Sequence, residues 1–515
     1  MVFSGGRILT MDAVFPDPDV VVVDDGRIVA VGERGLSDAY PDAPVVDLGG
    51  RTLVPGFIDA HNHLSIAALH PRWRDVHGVR SLEEMLDAIR LQAEAEPDAA
   101  WVRVHSWTEW DHGVFPTAAD IDSLGLDRPV VVAHFSLHQC VVSSAALDAL
   151  GYGRTTPDPQ GGEIARGPDG NPTGFLLERA WSDAHERSMA AYADPERWAD
   201  HIVSRSRELH AVGITAVHDA ACSPRAEDLY RSMAAAGTLP VSVLTMPHPA
   251  VMLRNDQGSR LDGACTGEGD EWVRVGPMKF FADGGQAMAV DATVAGEHLT
   301  MGVLMDDMAE HLGEAVRRGW RVAVHAEGNV AVGRAIDAFA AASKSRPDDD
   351  HRFRVEHAFV TSPAQVSRLR TIGAVAVVQP CFVDRIGDVT GGASFDDHTW
   401  LAFGAMTTAG VPLAASSDDP CAPFPPLWGS GKGATRTTDA GNVLEADEAV
   451  PFEEWIRAYT IGAAYAGGQE AERGSLTPGK RADLVLLDGP LDPMSVPSVA
   501  ETWVAGKRVF TSCGA

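Results

Sequence analysis

The chain has few cysteines, and none of them are spaced for metal binding or redox chemistry. Six cysteines are scattered over 515 residues without a Cys-x-x-Cys pair. This pattern argues against a disulfide framework and against a thiolate zinc site, and it is typical of reduced thiols. The first residues also lack the basic segment, apolar segment and cleavage site of a secretory signal. We therefore expect a cytoplasmic protein.

Long apolar runs and an excess of positive charge are also missing. No run approaches the ~20 apolar residues that a membrane helix needs. Acidic residues outnumber basic residues by 72 to 42, and the formal net charge is -30. Such a surface repels nucleic acid and anionic membranes. We predict that neither is a partner and that the ligand is a small molecule.

Three common catalytic and nucleotide-binding motifs are absent. The sequence contains no G-x-S-x-G elbow, no G-x-G-x-x-G fingerprint and no P-loop. A serine nucleophile of the elbow type, a dinucleotide site and a P-loop phosphate site are therefore not indicated. Any chemistry has to come from residues spread along the chain.

Strand and turn patterns occupy both ends of the chain. An Asp24-Asp25-Gly26 turn separates two β-branched runs, and a second hairpin turns at Ala505-Gly506 near the C-terminus. Neither end has enough strands to bury its own faces. We therefore predict one composite β-sandwich domain, formed by residues 1–52 and 470–515.

Residues 53–469 alternate between apolar strand-like runs and helical segments. Continuous apolar runs are typical of parallel strands that are buried on both faces. A long interval after the first run predicts an inserted α/β subdomain at about residues 66–206, which caps the barrel mouth. The fold class is α/β, and eight runs predict a (β/α)8 TIM barrel: Leu53–Asp59, Ile214–Asp219, Leu239–Met246, Val273–Phe281, Arg321–His325, Phe353–His357, Ala374–Gln379 and Val411–Ser417.

Several of these runs end in residues that can bind a metal. His61 and His63 are two residues apart, so in an extended segment both imidazoles point to the same side. His325, His357 and Asp418 end later runs, and the carboxyl ends of barrel strands open onto one mouth. Together they predict a divalent metal site suited to zinc. Taken singly, each histidine could be a core or loop residue, and Asp418 could be a helix N-cap.

A metal site of this kind indicates a hydrolase. A divalent ion lowers the pKa of bound water from ~15.7 towards ~7. Asp418 would orient the resulting hydroxide, take its proton and deliver that proton to a leaving nitrogen. A barrel that has lost its metal and serves only as a binding protein is the non-enzymatic alternative.

Lys279 lies within an apolar run, where an unpaired ammonium group is costly to bury. Three explanations are open. The amine could react with CO2 and bridge two metals, it could form an ion pair with Asp283, or it could contact the substrate unmodified.

These motifs resemble the metal-dependent amidohydrolase superfamily, and more narrowly its family 3 branch, which includes N-substituted formamide deformylases. The resemblance covers nearly the whole chain, with two departures: Ser143 stands where asparagine is usual, and GGQAM at 284–288 replaces a GALGSRTA-type run. It is carried by GFIDAHNH at 56–63, Pro129 through His138, SSAAL at 143–147, GGEI at 161–164, NPTG at 171–174, Glu178, GITAVHD at 213–219, KFFADG at 279–284, SDDP at 417–420 and GSLTPGKRADL at 474–484.

The resemblance implies a barrel with one or two metal ions, often zinc, and hydrolysis of a C–N bond in an amide, formamide, carbamate or cyclic amide. His61, His63 and Asp418 would hold the more buried ion. His325 and His357 would hold the other, with carboxylated Lys279 as the bridge. The same superfamily also contains one-metal deaminase-type hydrolases that act on heteroaromatic rings, which is the alternative activity. Relatives are often homodimers.

Three further residues are candidate substrate contacts. His138 would reach in from the insertion, although a buried hydrogen bond or a helix cap would explain it as well. His218 ends the second strand and could line the pocket or support a ligand from behind. Trp107 is a candidate pocket wall, but large aromatic residues are often simply core.

Overall fold

A computed structural model describes residues 1–109, 113–248, 260–285 and 287–512. Within these ranges, no helix combines the length and the apolar character needed to cross a bilayer. Five of the cysteines carry free thiols, as the sequence predicts, while Cys513 lies outside the described residues.

Two small sheets are built from both ends of the chain. One has the strand order Arg27–Gly32, Val20–Asp24, Val2–Ser4, Val45–Asp47. The other has the order Arg7–Ile8, Thr52–Pro55, Leu484–Asp488, Ser498–Val504, Lys507–Thr511. Both predicted hairpins form as antiparallel pairs. The two sheets share one apolar core, in which Phe3 and Trp503 meet edge to face with ring centroids 5.3 Å apart.

The middle of the chain forms two parallel sheets, which confirms the predicted α/β class. Nearly all residues of their strands are buried, which explains why the strands appear in the sequence as continuous apolar runs. One sheet has the order Val273–Val275, Ser242–Pro247, Ile214–Cys222, Phe57–Asn62, and the other Met278–Phe281, Val322–Ala326, Arg354–His357, Val375–Val378, Leu413–Ala415.

The two parallel sheets adjoin where their outer strands meet. After strand Leu413–Ala415, the Asp418 N–H donates to the carbonyl of His61 at 2.8 Å. The His63 N–H donates to the carbonyl of Asp419, also at 2.8 Å. These two bonds place the end of the last parallel strand beside the end of the first.

At the opposite side, the chain passes directly from one parallel sheet into the other. The predicted strand Val273–Phe281 is two strands, separated by Gly276 and Pro277. Pro277 has no amide hydrogen and cannot continue the ladder. Gly276 still donates to the carbonyl of Thr245 at 2.7 Å, and a Cβ at this glycine would lie only 2.8 Å from the Leu244 side chain.

The predicted strand Leu53–Asp59 is also two strands, and Gly56 separates them. Before Gly56 the chain pairs with Leu484–Asp488 of the terminal sheet, and after it with Ile214–Cys222 of the parallel sheet. The Gly56 N–H itself donates to the carbonyl of Asp483 at 2.8 Å. A Cβ at this glycine would lie 2.7 Å from Thr215 Cγ2, so the junction has no room for a side chain.

Helices connect the parallel strands, and several of them begin after a residue whose side chain caps the first turn. Ser362 and Gln365 form a reciprocal capping box at the start of the helix Pro363–Ile372. The α-helices are Leu64–Ala67, Leu82–Ala95, Ala118–Asp122, Ser144–Leu150, Arg179–Ala190, Pro195–Ala211, Pro224–Ala235, Met308–Arg317, Asn329–Ala342, Pro363–Ile372, Phe382–Thr390, Phe403–Ala409, Pro426–Thr435, Phe452–Arg457 and Ala463–Gly467.

A further sheet lies between the first two parallel strands along the chain. Apolar clusters pack on both of its faces, so it is covered on each side. Its strand order is Gly162–Arg166, Pro172–Glu178, Gln139–Val142, Val130–His134, Val102–Trp107, Arg74–Asp75. A two-stranded hairpin, Val290–Val294 with the exposed strand Glu297–Met301, follows strand Met278–Phe281.

The tight junction at Gly56 predicts a specific loss of stability. We expect Gly56→Ala to destabilise the protein by about 1–3 kcal/mol, because the added methyl group overpacks a closed site. Gly35→Ala is the matched control, since a Cβ there meets nothing within 4 Å. Denaturant unfolding followed by circular dichroism measures both variants. Equal stability of the two would contradict the expected overpacking.

Candidate metal centre

All six residues predicted as metal ligands line one cavity. Each lies within or just after the carboxyl end of a parallel strand, so the shared direction of the strands brings the side chains together. The residues that meet in this cavity are His61, His63, Lys279, His325, His357 and Asp418.

Three of them form a first group of ligand atoms. His63 Nε2 lies 3.1 Å from Asp418 Oδ1, and His61 Nε2 lies 3.5 Å from the same oxygen. One ligand atom from each residue falls within 4.8 Å of the other two. Two imidazole nitrogens and one carboxylate oxygen are a donor set that suits zinc.

A second group consists of His325, His357 and Glu327, again with ligand atoms within 4.8 Å of one another. His325 Nε2 and Glu327 Oε2 are buried and have no hydrogen-bond partner among the described residues. Buried polar atoms are normally paired, so these two atoms fit a site that holds a cation. Sequence reasoning missed Glu327; its position two residues after His325 was the signal that could have indicated it.

Hydrogen bonds behind the imidazoles turn their other nitrogen towards the cavity. His61 Nδ1 lies 2.6 Å from Glu356 Oε2, and His63 Nδ1 lies 2.9 Å from the carbonyl of Ala220. His357 Nδ1 lies 3.0 Å from Gln379 Oε1. Each of these oxygens requires an N–H at Nδ1, which leaves Nε2 with a free lone pair, as metal ligation needs.

Burial keeps the imidazoles of His61, His325 and His357 neutral. Burial lowers the pKa of His61 and of His325 well below the ordinary value for histidine, and it lowers the pKa of His357 to about 4. For Asp418, burial works to raise the pKa, but its contact with His63 Nε2 and the nearby histidines outweigh it and hold the pKa below its usual range. Neutral imidazoles and an ionised carboxylate are the forms that bind metals.

Lys279 lies within the cluster, with Nζ 3.3 Å from His61 Nε2. Burial lowers the pKa of this lysine to about 8. The Asp283 carboxylate instead accepts the backbone N–H groups of Ala289, Glu327 and Gly328 at 2.8, 3.0 and 2.9 Å. These three hydrogen bonds satisfy the Asp283 carboxylate, which the sequence offers as one ion-pair partner for Lys279.

Of the predicted substrate contacts, only His138 reaches the cavity wall. Its Nδ1 lies 2.6 Å from Glu178 Oε2, and its ring centroid lies 5.0 Å from that of His325. Glu178 is buried at 3% exposure, has a positive φ of 52°, and was matched to the family motif without an assigned role.

The structure does not bring His218 and Trp107 to the cavity wall. His218 is fully buried beneath the centre, with Nδ1 3.1 Å from Arg354 Nη1. Arg354 in turn binds Glu356, the partner of His61. Trp107 packs in the apolar cluster on one face of the sheet that contains strand Val102–Trp107, and it donates from Nε1 to the carbonyl of Val114 at 2.9 Å.

The cavity has an empty volume of about 1190 Å³, part of which is open to solvent. Its wall includes apolar side chains from the segment between residues 66 and 206, among them Trp181, Met189 and Trp198. A second cavity of about 760 Å³ shares Asp418 and His138 with the first and is lined by several aromatic residues. Both spaces therefore reach the candidate metal centre.

Comparisons with known proteins agree with this geometry. A family model described as "Amidohydrolase family" matches residues 44–510. The chain is 34% identical over 513 residues to N-substituted formamide deformylase from Arthrobacter pascens. The match covers 96% of this chain and 94% of the deformylase.

Solved structures share the fold. An uncharacterized metal-dependent hydrolase from Pyrococcus horikoshii OT3 matches with a TM-score of 0.75 at 21% identity, covering 96% of this chain and 98% of that one. The chain also matches a mutant of atrazine chlorohydrolase TrzN from Arthrobacter aurescens TC1, which is complexed with zinc and atraton. The TM-score is 0.56 at 15% identity, and the match covers 98% of this chain and 94% of that one. At these identities the likeness concerns the fold.

The bond between His61 and Glu356 predicts an effect on metal retention. We expect Glu356→Gln to weaken metal binding by about 10- to 100-fold, because the amide orients His61 less firmly than a carboxylate does. Metal content after dialysis against a graded chelator measures the change. Glu297→Gln, at an exposed position on the hairpin, is the control. Unchanged metal retention in a folded Glu356→Gln protein would contradict a role for Glu356 in orienting His61.

Proposed function

The chain belongs to the amidohydrolase family and is a hydrolase acting on C–N bonds; we propose that its substrate is a small-molecule amide, formamide, carbamate or cyclic amide. The observation that carries the proposal is the convergence of six predicted ligands in one buried cavity. The extent of the match to an N-substituted formamide deformylase supports an acyclic amide or formamide in particular.

We further propose that the two parallel sheets are parts of one closed (β/α)8 barrel. The bonds from Asp418 to His61 and from His63 to Asp419 support closure on one side. On the other side, the direct passage through Gly276 supports it. The terminal sheets would then form the composite sandwich, and the sheet between residues 66 and 206 would be the insertion over the barrel mouth.

The donor atoms fit one or two divalent ions, for which zinc is our proposal. His61, His63 and Asp418 would hold one ion, and His325 and His357 the other, with Glu327 as an additional oxygen donor. An ion bound here would polarise the substrate carbonyl and lower the pKa of a water molecule.

The residues of the chain position the substrate and move the proton. Asp418 accepts the proton of the attacking water and delivers it to the leaving nitrogen, so that amide and water give a carboxylic acid and an amine. His138 contacts the substrate carbonyl oxygen, and Glu178 holds its imidazole in place. The apolar wall around the cavity excludes other water and strengthens these charge interactions.

We also propose that Lys279 is carboxylated. A neutral amine is the form that attacks CO2, and burial lowers the pKa of Lys279 to about 8, which makes that form accessible near neutral pH. The amine nitrogen forms a bond to the carbon of CO2 and loses a proton, which leaves a carbamate anion. This anion replaces a buried cation and could bridge the two groups of ligands.

Removal of the Asp418 carboxylate tests the proton transfer. We expect Asp418→Asn to lower kcat by about 100- to 10,000-fold, because an amide cannot accept the proton. The rate is measured with a panel of N-substituted formamides and acetamides, on protein of known metal content. Asp127→Asn, at an exposed position, is the control. Full activity of Asp418→Asn would refute the assignment.

Lys279→Ala tests the carboxylated lysine. We expect the variant to lose one of two bound ions and most of its activity, and to regain both with a short-chain carboxylic acid that fills the gap. Elemental analysis and turnover measure the effects, and exposed Lys344→Ala is the control. One ion per chain in the native protein, together with an unmodified lysine, would favour the one-metal deaminase-type activity instead.

A further inference from the structure

Arg103 is a fully buried cation outside the metal centre. It lies on strand Val102–Trp107 of the insertion and has 0% exposure. Its Nη1 donates to Ser188 Oγ at 2.7 Å, and its Cζ lies 4.2 Å from the ring centroid of Trp73. Burying a guanidinium group costs free energy unless a carboxylate pairs with it, and no carboxylate pairs with Arg103 among the described residues. The contacts that Arg103 does make therefore call for a functional explanation.

The contact between Arg103 and His185 determines the tautomer of the histidine. Arg103 Nη2 lies 3.3 Å from His185 Nδ1. A guanidinium group can only donate hydrogen bonds, so Nδ1 has to accept and the proton of the neutral imidazole lies on Nε2. The cation behind the ring also polarises this Nε2–H and makes it a better donor.

His185 belongs to the wall of the larger cavity, together with His63, Lys279 and Asp418. Its neighbours on the wall include Trp181, whose ring centroid lies 4.9 Å from that of His185. Its Nδ1 is turned towards Arg103, so Nε2 is the nitrogen left to face the cavity. Among the described residues, Nε2 makes no hydrogen bond with the protein.

We propose that His185 is a substrate-binding residue whose Nε2–H donates to an acceptor on the apolar part of the substrate, and that Arg103 is its positioning residue. The substrate class is then a small amide whose apolar substituent carries a hydrogen-bond acceptor, such as a ring nitrogen or a carbonyl oxygen. This inference rests on the proposed function, since it concerns the same cavity. It adds a substrate contact that is not one of the candidate metal ligands.

A matched pair of ligands tests the contact. N-pyridylethyl formamide carries a ring nitrogen that N-phenylethyl formamide lacks, and the two are otherwise alike in shape. Calorimetric titration of metal-loaded Asp418→Asn protein measures binding without turnover. We expect some pyridyl isomer to bind about three- to tenfold more tightly than the phenyl compound, as one hydrogen bond provides.

Variants of His185 separate the hydrogen bond from packing. In His185→Ala on the same background we expect the two ligands to bind equally. In His185→Gln, whose side-chain amide places an N–H near the position of Nε2, we expect the preference to persist. Arg103→Met should reduce the preference, because either tautomer is then available to His185. Should this variant fail to fold, the alanine and glutamine variants still decide the question.

Three results would overturn the proposal. They are equal binding of the two ligands to Asp418→Asn protein that retains His185, a preference that survives in His185→Ala, and no measurable binding of any pyridyl isomer. Turnover by the native protein distinguishes failure of the His185 proposal from failure of the proposed function. A preference in binding without hydrolysis of either formamide by the metal-loaded enzyme would refute formamide hydrolysis and leave the His185 contact standing.

Discussion

The structure depends on the convergence of buried nitrogen and oxygen donors at the carboxyl ends of the parallel strands. Such groups are costly to bury unless each has a partner. His325 Nε2 and Glu327 Oε2 have no hydrogen-bond partner among the described residues. A divalent cation would satisfy both at once. The same cation would also explain why neutral imidazoles and an ionised Asp418 lie in contact.

A chain of buried hydrogen bonds supports this centre from below. His218 contacts Arg354, Arg354 binds Glu356, and Glu356 binds His61. Its members have exposures of 0–1%, so no solvent is available to replace a lost partner. A buried chain of hydrogen bonds of this kind holds the His61 imidazole in one orientation. This explains why His218, which the sequence placed at the end of a strand, supports the site rather than lining the cavity.

The segment between residues 66 and 206 supplies much of the cavity wall, and the parallel strands with the residues that follow them supply the candidate ligands. His138, His185 and Trp181 belong to that segment, whereas His61 lies on a parallel strand and Asp418 follows one. This division lets the reacting groups stay on rigid strands while the substrate-facing wall varies. It also explains why a match in the ligand motifs identifies the family without identifying the substrate.

The sequence by itself determined the α/β class, both terminal hairpins and the candidate ligands. These follow from local patterns: apolar runs, turn residues between β-branched runs, and histidines or acids where a run ends. Only the tertiary structure decided the breaks at Gly56 and Gly276, because a break depends on which strand lies alongside. It alone revealed the contact of Glu356 with His61 and that of Arg103 with His185, since residues far apart in sequence meet only after folding.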